Sequence, residues 1–378
     1  AARFKLYRAL LIVAVVLIVP VIFVVGITLP YLFNTIKITF PDIVIDKDVE
    51  SYIAEKELLF ENTDPRAKKK IIWHDDAKIK TEYSIVYLHG SFATGRQQED
   101  VLVKIAKKLK ANLFISRLAG HGSGFESTKS LEAKNFLEDA AEAVAVGNKI
   151  GNKVILMGFS AGGSFALMAA KDQKLSEKID HLVLVAPWTP KLSPPYFLAA
   201  TGLFFKSQYK FNFPRMFNLP NEEWDPFWVN EFHRELPRQL WVAAFSGRKL
   251  EFQETKIPLL VFYEEKDKVV NAEGVKKIFE QWKGPKKIIN NDTIQLARSI
   301  ADVATDKVIS ITGIGSTSTH ELIPSVVYEK NVKHQNFLRR FPMSPEPSEY
   351  DAPLQTDPIG MFVNGVEILS NRSGDSVH

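Results

Sequence analysis

Polar and apolar positions divide the chain into three regimes. From Ala9 to Phe33 the sequence is apolar, broken only by Pro20, Gly26, Thr28 and Pro30, and it shows no polar face at helical spacing. At ~1.5 Å per residue such a run spans a bilayer, whereas a helix buried in a soluble core carries a polar stripe. Arg3, Lys5 and Arg8 precede it, which predicts a cytoplasmic N-terminus with the remainder of the chain outside. A cleaved leader has a shorter apolar core and a small-x-small site, and Leu29 to Phe33 offers none. The expectation is a retained single-pass anchor over residues 1–36.

In the second regime, short uninterrupted apolar runs alternate with stretches of helical period. The runs predict strands at Ile71–Trp73, Tyr83–Leu88, Asn112–Ser116, Lys153–Met157, His181–Ala186, Pro258–Tyr263 and Lys286–Asn290. Helices are predicted at Gln97–Lys110, with Val101, Ile105 and Leu109 on one face, and at Leu131–Lys149, Ala161–Lys171 and Asn271–Lys283. This alternation implies an α/β architecture, a doubly wound and mostly parallel sheet. Residues 37–70, with Pro41, Pro65 and a helix from Val49 to Glu61, read as a connector that caps the domain. Between 187 and 256 Pro, Phe, Trp and Tyr are dense, as in Trp224-Asp225-Pro226-Phe227-Trp228, which predicts a cap over the carboxyl edge of the sheet.

The third regime follows Phe341. A Pro-rich linker leads to a short hairpin over 358–369 with an Asn364-Gly365 turn, a tail that resembles segments of phage structural proteins. The tail closes no domain and the chain begins without Met, which is compatible with a fragment or a fusion.

The strand at Lys153–Met157 runs into Gly158-Phe159-Ser160-Ala161-Gly162, and a helix of small residues follows at once. A serine on so sharp a strand-to-helix turn needs glycine two residues to either side, because the backbones there leave no room for side chains. Ser160 is the candidate nucleophile, and the N–H of Ala161 a candidate oxyanion donor. The strand ending at His89-Gly90 supplies a second donor from Ser91 or Phe92, with Ser91 preferred; His89 itself reads as a loop-packing residue.

A serine hydroxyl needs a base, and the base needs a carboxylate to fix its tautomer. Asp267 follows the strand Pro258–Tyr263, at the sheet edge from which it can serve. Of the eight histidines only His320, His334 and His378 come after that acid and the last strand. His320, in a glycine- and hydroxyl-rich loop before a helix, is the preferred base. His334 reads as a solvated helix residue.

Composition removes other classes. There are no cysteines, so no disulfide, thiolate metal site or cysteine nucleophile is available, and neither zinc nor calcium spacing occurs. No metal or cofactor is expected. The 48 basic and 44 acidic residues are interspersed, which gives no nucleic-acid footprint. The glycine-rich loop Gly120-His121-Gly122-Ser123-Gly124 lacks a following Gly-Lys-Ser and has no dinucleotide spacing.

The order Ser160, Asp267, His320, with His89-Gly90 upstream and Arg117-Leu118-Ala119-Gly120-His121-Gly122 between, resembles the α/β-hydrolase fold superfamily, in its monoglyceride-lipase and serine-aminopeptidase-like branch. It is similar, more narrowly, to membrane-anchored bacterial α/β-hydrolases. The resemblance covers about Ile71 to Asn290 and implies a hydrolase domain, set at 71–341 with a helical cap at 187–256; the linker and hairpin over 342–378 resemble nothing in a hydrolase. It also implies a serine esterase acting on a small-molecule or lipid ester with an apolar acyl chain, on the non-cytoplasmic side of a membrane. A peptidase or amidase on the same triad, or an inactive membrane-anchored binding protein, are the alternatives. The stretch 291–312 departs from the family's usual short path between last strand and histidine.

Overall fold

The structure, a computed structural model, describes residue 26 and residues 33–60, 63–191, 207–210, 228–267, 269–290, 358–361 and 367–369. In sequence order the strands are β1 (Lys70–Ile72), β2 (Thr81–Leu88), β3 (Asn112–Ile115), β4 (Gly151–Phe159), β5 (His181–Val185), β6 (Gln208–Lys210), β7 (Glu231–His233), β8 (Leu259–Tyr263), β9 (Lys286–Asn290), β10 (Pro358–Met361) and β11 (Glu367–Leu369). Seven of them form one sheet in the order β1-β3-β2-β4-β5-β8-β9. β1 is antiparallel to β3, and every other pairing in the sheet is parallel. β2 and β4 pair from Thr81 opposite Gly151 to Leu88 opposite Gly158, so both end beside the serine turn.

Among the described residues the helices of ten residues or more are α1 (Val49–Leu58), α2 (Glu99–Leu109), α3 (Ala133–Ile150), α4 (Ala161–Lys171), α5 (Glu235–Ser246) and α6 (Ala272–Gln281). Strand side chains alternate between two cores, as a period of two requires. Tyr83, Ile85 and Tyr87 of β2 join Ile155, Met157 and Phe159 of β4 and the buried face of α2. That face is Leu102, Ile105, Ala106 and Leu109, with Val101 on its flank. Val86 and Leu88 join Val154 and Leu156 on the other side, beneath α1, α3, α4 and α5. Phe136 of α3 and Phe165 of α4 stack there at 5.3 Å. Burying each such aromatic contributes about 2 kcal/mol.

The connector belongs to this second core. Ile45, Val49, Tyr52 and Ile53 are buried, and Ile36, Ile38, Phe40 and Ile43 pack along its margin. α1 starts on the Asp48 carboxylate, which accepts the Ser51 N–H at 2.9 Å, and it ends at Leu58, short of the expected Glu61. The range 187–256 includes α5, whose Leu236, Leu240 and Ala243 are buried in the core against α3 and α4, so this helix is part of the α/β layer. β6 and β7 form a separate antiparallel ribbon in the same range. At the far end β10 and β11 pair antiparallel, Met361 opposite Glu367, with the Asn364-Gly365 turn outside the described residues.

Among the described residues no helix is long and apolar enough to cross a membrane. The expected anchor lies almost wholly outside them.

Candidate active site

Ser160 stands at φ 50° and ψ −115°, a region that L-residues avoid. Its amide donates to the Val185 carbonyl at 3.0 Å, and its carbonyl accepts the Trp188 N–H at 2.8 Å. The end of β5 therefore clamps the turn from one side. From the other side the Gly162 N–H donates to the His89 carbonyl at 3.1 Å. A Cβ on Gly162 would lie 2.1 Å from the Leu88 carbonyl oxygen, and one on Gly158 would lie 2.6 Å from the Gly162 oxygen. Neither glycine can be replaced without moving backbone, which is the physical content of the Gly-x-Ser-x-Gly spacing.

Two more non-glycine residues with positive φ flank the serine, Phe92 at 57° after β2 and Ala186 at 43° after β5. Strain of this kind collects where surrounding structure over-determines the backbone. The loop after β2 passes directly beside Ser160: a Cβ on Gly90 would come within 3.2 Å of the Ser160 Cβ. Ser91 is the next residue. The Phe92 N–H donates to His121 Nε2 at 3.0 Å, which engages that amide elsewhere and leaves the Ser91 N–H as the candidate oxyanion donor on this loop. Ala161, at the first position of α4, presents the other N–H, since the first turn of a helix has no internal acceptors.

His89 and His121 are both fully buried and hold the loops in place. His89 Nδ1 lies 2.9 Å from the Gly90 carbonyl, and its Nε2 accepts the Leu118 N–H at 2.9 Å. His121 Nδ1 lies 2.9 Å from the Ala119 carbonyl. Each ring thus donates through Nδ1 and accepts through Nε2, the neutral tautomer. Burial pushes the His121 pKa down to about 4, and burial together with His121 holds His89 well below the usual histidine range. Asp139, which accepts the Ala119 N–H at 2.6 Å, is pushed the other way by burial, to about 6.

Asp267 follows β8, and its Oδ1 accepts the N–H groups of Val269 at 2.7 Å and Val270 at 2.9 Å. β8 lies two strands from β4 in the sheet. At ~4.8 Å per strand that separates the ends of the two strands by roughly 10 Å. His320 lies outside the described residues, as do His334 and His378. Among the described histidines, both ring nitrogens of His89 and His121 are engaged with backbone. His181 opens β5, and His74 is bonded through its amide to Asn112 at the start of β3, which puts both at the opposite edge of the sheet. His233 lies on β7, its amide held by Thr128. No described residue makes a hydrogen bond to the Ser160 hydroxyl. No group of three or more His, Asp or Glu among the described residues is arranged to hold a metal ion.

Sequence reading missed α5 because the aromatic density of the range masked the spacing of Leu236, Leu240 and Ala243. It also missed that segment 228–232 leans on the loop after β2: the Val229 N–H donates to the Phe92 carbonyl at 2.7 Å, and Phe92 packs on Phe232 at 4.9 Å.

The model of the alpha/beta hydrolase family matches residues 85–293, more than half of the sequence, and that range runs from β2 past β9 through the serine turn. The chain belongs to the alpha/beta hydrolase family. Among solved structures it is similar to that of one of the metagenome-derived lipolytic enzymes LipS and LipT, at 14% identity and a TM-score of 0.52, covering 67% of this chain and 100% of the other. It is also similar to the monoacylglycerol lipase of Paleococcus ferrophilus, at 14% identity and a TM-score of 0.45 over 59% of this chain and 87% of that one. A soluble variant of monoglyceride lipase from Saccharomyces cerevisiae aligns at 13% identity and a TM-score of 0.42, over 59% and 82%. Comparison with curated protein sequences gave no match. At such identities the likeness concerns the fold, and the chemistry of this alpha/beta hydrolase rests on its own residues.

Proposed function

We propose that this alpha/beta hydrolase is a serine esterase that transfers the acyl group of an ester with an apolar chain to water. The observation that carries the reading is the strained Ser160 backbone, held between Gly158 and Gly162 at the start of α4 and beside the Gly90 loop. Ser160 Oγ attacks the ester carbonyl, His320 takes the proton and returns it to the leaving alcohol, and Asp267 orients the imidazole. The N–H groups of Ala161 and Ser91 hold the oxyanion, a contribution of about 3 kcal/mol per donor. Lipolytic enzymes among the structural neighbours and the aromatic residues of 187–256 support an apolar acyl chain. The apolar run at 9–33 supports a single-pass anchor with the catalytic domain on the non-cytoplasmic face.

The test is hydrolysis of p-nitrophenyl esters from acetate to laurate by the full chain and by Ser160→Ala and Asp267→Asn. Expected is turnover that rises with chain length, no turnover above background in Ser160→Ala, and a kcat at least about a hundredfold lower in Asp267→Asn. Turnover retained in Ser160→Ala would refute the assignment.

A further inference from the structure

We propose that the cleft between α4, α5 and α6 binds a single-chain anionic amphiphile, an alkyl or acyl chain ending in a carboxylate or phosphate. The cleft has a volume of about 550 Å3, within the range of pockets that hold one small molecule, which favours one chain over two. Its wall has an apolar part, Leu167 and Met168 of α4, Trp188 after β5 and Ile278 of α6, beside the polar Ser164, Thr189, Asn271 and Gln281. Its mouth carries Arg248, Lys249 and Lys277, and among the described lining residues the one carboxylate is Glu251.

Sixteen ion pairs join cations and anions among the described residues, yet neither Lys249 nor Lys277 has a carboxylate within ion-pair distance there. Arg248 is fixed by a 2.8 Å bond to the Phe245 carbonyl and by stacking at 3.8 Å over the Phe245 ring. A partly apolar wall under a net positive mouth is complementary to a chain with an anionic head.

The cleft also lies where the chain leaving the apolar run joins the domain. Phe33 packs on Phe245 at 6.1 Å, and the Ile36 N–H donates to Ser246 Oγ at 2.9 Å, one residue before Gly247 on the cleft wall. Ser160 is not among the lining residues, so the site is separate from the nucleophile and stands whether or not that serine is acylated.

The experiment is calorimetric titration of the full-length Ser160→Ala chain, in phosphatidylcholine nanodiscs at low salt, with decanoate, decyl phosphate, decanol and inorganic phosphate. Expected is saturable binding of an anionic amphiphile, with decanol and inorganic phosphate at least about tenfold weaker. The tighter of the two anions identifies the head group. In Lys249→Glu/Lys277→Glu the anion should bind about tenfold more weakly, with the thermal midpoint unchanged because both side chains are exposed. Decanol binding as tightly as the anions, or undiminished anion binding in the double variant, would overturn the site.

Discussion

Ser160 occupies a backbone conformation that costs about 1–3 kcal/mol, and three hydrogen-bonded clamps from β2 and β5 hold it there. The glycines around it were readable from spacing alone, because only backbone without a Cβ fits where Gly162 meets the Leu88 oxygen. Gly162→Ala should therefore lower stability by at least about 2 kcal/mol in urea unfolding, and a change within 0.5 kcal/mol, roughly the scatter of surface substitutions, would contradict the packing described. The neutral histidines beneath the loop after β2 were not readable as such, since burial sets their protonation. Between pH 6.5 and about 4 the unfolded chain binds protons that the folded His89 and His121 refuse, so stability falls as pH falls through that window, by about 3 kcal/mol for His121. Asp139 opposes this: its folded carboxyl, raised from 3.8 to about 6, adds stability below the lower value that is lost as pH rises through the upper. Asp139→Asn should thus steepen the acid-side loss between about pH 6 and 4 in urea midpoints. An unchanged or shallower slope would show that Asp139 does not titrate as described.

At the scale of elements, α1 is tied to the loop that carries His121. Arg117, almost wholly buried, donates to Glu57 of α1 at 2.9 Å and to Ser123 at 2.6 Å, and its guanidinium lies 4.5 Å from the Phe60 ring. Arg117→Ala leaves the Glu57 carboxylate buried and unpaired, at a cost of about 3–5 kcal/mol. Arg117→Met/Glu57→Gln should recover much of that loss in thermal unfolding, and a double variant as unstable as the single one would remove the pair from the account. Elements with a single clear period, such as α4 and β9, matched their sequence reading to the residue. α5 did not, because its apolar positions are embedded among aromatic residues that suit a cap equally well. The connector helix was legible, but its ion pair with Arg117 joins residues sixty positions apart, and no local pattern reports that contact.

For the whole molecule, the sheet order β4-β5-β8 puts the turns that carry Ser160 and Asp267 at the same, carboxyl end of the parallel strands, two strands apart. That order follows from alternating strands and helices, so the fold was legible, as were the positions of the serine turn and of Asp267 after their strands. The proposed base, His320, lies outside the described residues, and residues 291–320 carry no strong hydrophobic period from which to read their elements. If the proposed anchor holds, the full chain should sediment with membranes after alkaline carbonate washing, and release into the supernatant would count against it.

The most direct measurement of the central claim is fluorophosphonate labelling of the full chain, with the adduct mapped by mass spectrometry, beside Ser160→Ala and His320→Ala. The account predicts one adduct on Ser160, lost in the first variant and slowed by at least about a thousandfold in the second. A folded parent that takes no label, or an adduct on another residue, would contradict it.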